Sequence, residues 1–96
     1  MNIYKVRQNI YNDYGMYVEF ICVADSEQAA RETFPYDDVV LKEGYWMESD
    51  IDGKLQELDY HDWVNPDEIN KLIVTLVGVS DESQPAGVIC ANYRGG

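Results

Sequence analysis

Cysteine and long hydrophobic runs are both scarce in this chain of 96 residues. Its two cysteines, Cys22 and Cys90, are too few for the disulfide framework of a small secreted protein and do not form a CxxC pair. No apolar run approaches the roughly 18 to 20 residues of a membrane span, and no signal-peptide core follows Met1. These absences predict a reduced, soluble protein that acts in a cytoplasm and has no membrane partner.

Positive charge is scarce as well. Seven Lys and Arg residues stand against 18 Asp and Glu residues, which gives a net charge of −11 and a sequence pI near 4.1. We therefore expect no direct nucleic-acid binding, because affinity for phosphates comes from Lys and Arg. Residues 37–68 contain eleven of the acids and only two lysines, a net charge of −9. Such a segment should attract a basic partner, although a solvated surface that only keeps the protein soluble explains the same residues.

Motifs of enzyme chemistry are absent from the sequence. It contains no P-loop, GxGxxG, GxSxG, HExxH or CxxC motif. His61 is the only histidine, and without a second histidine or a nearby cysteine it cannot form a conventional zinc site. Cys22 and Cys90 lie among apolar neighbours, which predicts buried and unreactive thiols. The sequence therefore predicts neither an enzyme nor a cofactor.

The hydrophobic pattern predicts four strands and one helix. Residues 2–10, 16–24, 72–79 and 88–93 have strand character, and residues 26–34 form a helix that Asp25 caps and Pro35 ends. The segment 72–79 is apolar at nearly every position, which indicates a central strand buried on both faces. We expect one α+β domain over residues 1–96, with an antiparallel or mixed sheet of about four strands and one helix packed on one face. The element order is β-β-α-insert-β-β.

The acidic insert, residues 37–68, has a pattern of its own. Asp52-Gly53 favours a type I′ hairpin turn between the segments 45–47 and 55–58. Trp46 and Trp63 are the expected anchors that hold the insert against the sheet. A calcium loop is the alternative for Glu48 to Asp59, because acids occupy its positions 1, 3, 5 and 12 and glycine occupies position 6. Glu at the first position and Asp at the last depart from that pattern, so the hairpin is the preferred interpretation.

Several segments outside the insert look familiar. They include the opening YKVRQN of residues 4–9, VADSEQAAR of residues 23–31, VTLVG of residues 74–78 and GVICANY of residues 87–93. Together these segments resemble a family of short, mostly uncharacterised accessory proteins of bacteriophages and prophages, over about residues 1–36 and 63–95. Phe34 and Arg94 depart from the family pattern. The resemblance implies a setting in the host cytoplasm, where such proteins often inhibit CRISPR or other defence systems, and it implies no catalytic residues.

Charge and resemblance together lead to one functional hypothesis. The chain is expected to be a non-enzymatic inhibitor whose acidic face binds a basic surface of a host nuclease or CRISPR effector subunit, with carboxylates in place of phosphates. The residues expected to contact the partner are Asp37, Asp38, Glu48, Asp50, Asp52, Glu57, Asp59 and Asp62, with Trp46 as an apolar anchor.

A second hypothesis comes from the aromatic content and the predicted sheet. Eight tyrosines and two tryptophans are many for this length, and such residues are enriched at interfaces. The chain would then be a structural or assembly module that self-associates, as a homodimer, through a sheet edge or a tyrosine-rich face.

Overall fold

The main sheet has four antiparallel strands. The computed structural model describes residues 1–36, 38–58 and 62–94. The four strands are β1 (Asn2–Arg7), β2 (Met16–Ala24), β6 (Ile73–Val79) and β7 (Gly87–Arg94). Their order across the sheet is β6-β1-β2-β7. The predicted antiparallel sheet is thereby confirmed, whereas the predicted α+β class matches only in broad terms, because the strands far outweigh the helix.

The hairpin of β1 and β2 also follows the sequence prediction. Tyr4 pairs with Cys22 and Val6 pairs with Phe20, and all four side chains are buried. The first strand ends at Arg7 rather than at residue 10. Beyond it, the buried side-chain amide of Gln8 forms the hydrogen bonds with backbone groups that a continued strand would form with its neighbour. Its Nε2 donates to the carbonyl of Tyr11 at 2.8 Å and to that of Tyr17 at 3.0 Å.

The only α-helix of the described residues is α1 (Glu27–Arg31). Ser26, and not Asp25 as predicted, caps it, because the Ser26 hydroxyl accepts the backbone N–H of Ala29 at 3.1 Å. The helix contacts β1, β2 and β6 and buries Ala30 completely. The Arg31 guanidinium donates to the carbonyl of Leu72 at 2.7 Å and fixes the entry to β6. Five residues cover only part of a four-stranded sheet.

A second sheet covers more of the same face. It contains β3 (Val39–Lys42), β4 (Tyr45–Ser49) and β5 (Leu55–Glu57) in the order β3-β4-β5. The prediction of a single sheet, without a strand at β3, is thereby corrected to two antiparallel sheets. The predicted hairpin of β4 and β5 is confirmed.

The turn types of the second sheet differ from the prediction. Glu43 and Gly44 have φ values of 54° and 85°, as both central residues of a type I′ turn require, and they join β3 to β4. At the predicted site, Gly53 alone has a positive φ, of 82°. There the Asp50 carboxylate accepts the backbone N–H groups of Asp52 and Lys54, both at 2.9 Å.

Two tryptophans hold the sheets together, as the sequence predicted. Trp46 and Trp63 are each 2% exposed and belong to one hydrophobic core that both sheets share. The Trp46 indole N–H donates to the carbonyl of Val64 at 2.9 Å, and its ring packs edge-on against Phe34 at 5.0 Å. Trp63 packs edge-on against Phe20 at 5.2 Å.

Strand β6 is not central, which corrects the sequence prediction. It lies at one edge of the main sheet, and its side chains Leu76, Val77 and Val79 are 58%, 52% and 75% exposed. The short helix and the small second sheet leave this edge uncovered. Cys90, on the opposite edge strand β7, is likewise exposed, whereas Cys22 is buried as predicted.

Across the described ranges, no helix is long and apolar enough to cross a bilayer.

Candidate functional site: an acidic groove

A groove of about 430 Å³ lies where the second sheet meets a short 3₁₀ helix, Pro66–Lys71. Three exposed carboxylates line it, those of Glu43, Glu57 and Asp67. The remaining lining residues are Gly44, Tyr45, Trp46, Leu58, Asn65 and Pro66. We refer to this feature as the acidic groove.

Local structure positions each of the three carboxylates. Glu43 lies in the type I′ turn that precedes β4. Glu57 ends β5, directly opposite Met47 of β4. Asp67 lies in the first turn of the 3₁₀ helix, where an acidic side chain is favourable. Three separate elements therefore contribute one carboxylate each.

The floor of the acidic groove is rigid because it belongs to the core. The backbone N–H of Leu58 donates to the carbonyl of Trp46 at 2.9 Å and continues the pairing beyond β5. The Trp46 side chain below is buried and hydrogen-bonded. A ligand in the acidic groove would meet a surface that needs no rearrangement.

Glu68 fixes the side of the groove that the 3₁₀ helix forms. One of its carboxylate oxygens accepts the backbone N–H of Asn65 at 2.9 Å and the Tyr11 hydroxyl at 2.7 Å. Burial opposes ionisation of Glu68, but the Asn65 N–H, the Tyr11 hydroxyl and the nearby Lys71 charge together hold its pKa below the ordinary value. Glu68 is thus an ionised structural residue that orients the helix carrying Asp67.

The carboxylates of the acidic groove are not neutralised by the protein. Within residues 1–36, 38–58 and 62–94, the ion pairs are Lys5–Glu19 at 3.8 Å, Arg7–Glu19 at 3.1 Å and Arg31–Glu27 at 3.8 Å. All three lie on the main sheet and α1. No cation of the described ranges forms an ion pair with Glu43, Glu57 or Asp67, so their negative field is directed at solvent.

The structure distributes the predicted contact residues over several places. Of the predicted acids that the structure describes, only Glu57 lines the groove. Asp50 and Asp52 lie in the turn that follows β4, whereas Glu43 lies in the turn that precedes it, so the length of β4 separates them. Asp38 is exposed next to β3, with a φ of 75°. Asp37, Asp59 and the single histidine, His61, lie outside the described residues.

Glu48 and Asp62 lie near a cluster of tyrosines. Tyr17 is 4.9 Å from Tyr93 and 5.9 Å from Tyr36, measured between ring centroids. Burial raises the pKa of Tyr36, and the charges of Asp62 and Glu48 raise it further. These two acids are half-buried and belong to the boundary between the sheets rather than to the groove.

Trp46, the predicted apolar anchor of the contact, lines the groove but is 2% exposed. Its side chain anchors β4 in the core and leaves little surface for a partner. Glu43 and Asp67 are not among the contact residues predicted from the sequence. A β-branched pair, Val39-Val40, before Glu43-Gly44 was the available signal for the β3–β4 hairpin.

The arrangement is suited to binding a cationic side chain rather than a metal ion. No three His, Cys, Asp or Glu side chains of the described ranges lie close enough together to hold one ion. In the alternative calcium loop, the Asp50 carboxylate already accepts two backbone N–H groups. A guanidinium, in contrast, needs only one carboxylate for a bidentate pair, and its remaining N–H groups can reach other acceptors of the groove.

Comparison with known proteins gave no match, whether the chain was compared with protein-family models, with curated proteins or with solved structures. The resemblance to phage accessory proteins therefore stays a prediction from the sequence segments alone.

Proposed function

We propose that this protein is a non-enzymatic inhibitor that binds a basic protein surface through its acidic groove. The observation that supports this most directly is the set of three exposed carboxylates in one groove, without an ion pair to any described cation. The proposed partner is a nuclease or a CRISPR effector subunit of the host, met in the host cytoplasm. That setting rests on the resemblance to phage accessory proteins.

An arginine side chain of the partner is the best occupant of the groove. Carboxylates accept charge-assisted, bidentate hydrogen bonds from a guanidinium, and these are among the strongest hydrogen bonds in proteins. The ring of Tyr45, which is 53% exposed at the groove, offers a face on which a guanidinium can stack. Lysine fits the charge but not the planar stacking.

The other acids of the insert act at longer range. Asp38 and Asp52 are exposed, and Glu48, Asp50 and Asp62 are half-buried. With the acidic groove they form one strongly negative part of the molecule, because residues 37–68 hold only two lysines. Such a field raises the rate of encounter with a basic partner, and the effect decreases as salt increases.

Inhibition follows if the bound surface is the one that the partner uses for nucleic acid. Carboxylates then occupy the Arg and Lys side chains that would otherwise contact phosphates, and binding releases the counterions of the partner. Nucleic acid and this protein would exclude one another from the partner, without any chemical step.

A capture experiment with three baits tests the proposal. The groove variant carries Glu43→Gln, Glu57→Gln and Asp67→Asn. The control variant carries Asp13→Asn, Asp25→Asn and Glu32→Gln, which removes the same charge from exposed positions in residues 1–36. We expect the wild type and the control variant to recover the same basic protein from nuclease-treated host lysate, and the groove variant to lose it.

Two results would overturn the proposal. Equal recovery by all three baits would show that the acidic groove is not the contact. Recovery of no basic protein by the wild type would show that the acids serve solubility alone. An assay of nucleic-acid binding by the recovered protein then tests inhibition, which should be lost with the groove variant only.

A further inference from the structure

Strand β6 leaves one edge of the main sheet open. No other strand of the described ranges pairs with it on the side away from β1. Ile73, Leu76, Val77 and Val79 are 47%, 58%, 52% and 75% exposed, although all four are apolar. An open edge with free backbone N–H and C=O groups is a template for pairing with another strand.

The usual protection of an open edge is nearly absent from β6. Proteins block such edges with charged residues, prolines or bulges. The seven residues of β6 include no charged residue and no proline. A bulge at Val77, where the register with β1 shifts, is the one protective feature. Apart from this bulge, β6 has none of the features that prevent a neighbouring strand from pairing.

The residues that flank β6 carry opposite charges at its two ends. Lys71 precedes the strand, and Asp81 and Glu82 follow it. Lys71 and Asp81 are each five positions from Leu76. Lys71 ends the 3₁₀ helix and Asp81 begins the turn after β6. An antiparallel pair of β6 strands centred on Leu76 therefore brings the Lys71 end of each copy to the end of the other that carries Asp81 and Glu82.

We infer that the protein forms a symmetric dimer in which the β6 strands of two copies pair antiparallel, centred on Leu76. The two main sheets then join into one continuous sheet of eight strands. Apolar side chains meet across the two-fold axis, and each end of the interface brings one lysine to two acids. This inference is independent of the acidic groove and of its proposed partner.

The charge distribution favours a second copy over the alternatives. Two copies with a net charge of −11 each repel one another over most of their surface, and repulsion is smallest where no charged residue lies. Pairing of β6 with β7 of another copy would leave one open strand edge at each end of the assembly, so further copies would add and produce a growing filament. A foreign strand would need its own complement to Lys71, Asp81 and Glu82, whereas a second copy supplies one by symmetry.

Substitution at the two-fold axis provides the first test. We expect light scattering of the wild type to give twice the mass of 11.0 kDa at high concentration and a lower value on dilution. Leu76→Lys brings two like charges together at the axis and should weaken the dimer by at least about tenfold. Ile89→Lys, at a side chain of β7 that is 52% exposed, is the matched control and should leave the dimer unchanged.

A charge exchange provides the second test and fixes the register. Lys71→Glu and Glu82→Lys should each weaken the homodimer, by about fivefold, because each places like charges at both ends of the interface. An equimolar mixture of the two variants should recover dimers, since the carboxylate introduced at position 71 of one copy then meets the ammonium group introduced at position 82 of the other. Glu82 is exposed and takes no part in the hydrogen bonds from Ser83 to Asp81, so its substitution leaves that turn intact.

Several results would overturn the inference. A constant mass of 11.0 kDa up to about 1 mM protein would exclude a dimer with useful affinity. A dimer that Ile89→Lys weakens and Leu76→Lys does not would place the interface at β7. Masses that continue to grow with concentration would indicate filaments. Thermal melting of each variant, measured at a concentration low enough for the wild type to be monomeric and expected to match it there, separates loss of the dimer from loss of the fold.

Discussion

The two sheets of this protein treat charge in opposite ways. On the main sheet and α1, the cations Lys5, Arg7 and Arg31 each lie within 4 Å of a carboxylate. On the second sheet, the described acids have no such partner, and its lysines, Lys42 and Lys54, form no ion pair with a described residue. The main sheet is thus close to electrically balanced, whereas the second sheet directs its negative charge outward.

The difference shows which part of the molecule has charge that folding does not use. The second sheet is held by apolar packing, since Trp46 and Val39 belong to the shared core. Its turns use backbone conformation and one Asp50 carboxylate. The carboxylates of the acidic groove contribute to neither, so they are free to bind a partner.

Loss of the tryptophan anchor is expected to have the largest effect, because it detaches the second sheet from the core that it shares with the main sheet. Trp46→Ala removes a fully buried ring and its hydrogen bond to Val64, and we expect the free energy of unfolding to fall by about 3–5 kcal/mol. Tyr45→Ala, at the exposed neighbouring position, is the control and should cost less than about 1 kcal/mol. Chemical denaturation measures both. Similar costs for the two variants would show that the second sheet does not depend on its core anchor.

Removal of the hydrogen bond by which Tyr11 supports the 3₁₀ helix should lower the free energy of unfolding by a smaller amount. Tyr11→Phe removes the hydroxyl that donates to Glu68, and we expect a loss of about 0.5–1.5 kcal/mol near neutral pH. The folded-state pKa of Glu68 is lowered, so its contribution is present above the ordinary value of 4.5 and is lost as pH falls through the folded-state pKa.

The cost of Tyr11→Phe should therefore shrink on acidification. Stability of wild type and variant, compared at about pH 7 and about pH 3, measures the change. A cost that is the same at both values would show that ionised Glu68 is not the partner that matters.

The smallest expected effects are those of charge removal, and they differ between the two sheets. Glu19→Gln removes both ion pairs to Lys5 and Arg7 and should destabilise the protein by about 0.2–1 kcal/mol. The groove variant loses no ion pair and relieves repulsion, which offsets the loss of the favourable Asp67 charge at the 3₁₀ helix, so its stability should stay within a few tenths of a kcal/mol of the wild type. Thermal melting at low salt resolves the two. A groove variant that is less stable than Glu19→Gln would contradict the account.

The sequence predicted the elements whose signals are local. The β-branched and aromatic residues of the segment 16–24 predicted the bounds of β2, and the two tryptophans, Trp46 and Trp63, predicted the anchors of the insert. Residues 72–79 show what such local signals cannot predict. Continuous apolar character was interpreted as burial, but the position of a strand in a sheet depends on which elements cover it, and here nothing in the described chain lies beyond β6.

The acidic groove could not be predicted from spacing. Glu43, Glu57 and Asp67 come from a turn, a strand end and a 3₁₀ helix, and only the register of β4 with β5 and the Glu68 bond to Asn65 bring them to one place. Charge counting pointed to residues 37–68, the third of the chain that contains all three carboxylates of the groove. It favoured Asp50 and Asp52, which the fold places at the other end of β4.

The most direct test of the account is the affinity of the captured basic protein as a function of salt, measured by titration calorimetry for the wild type, the groove variant and the control variant. We predict that the groove variant binds at least about tenfold more weakly, a loss of about 1.4 kcal/mol, and with a shallower salt dependence. The control variant should bind like the wild type. Equal affinities and equal salt slopes for all three proteins would contradict the claim that the second sheet carries the binding site.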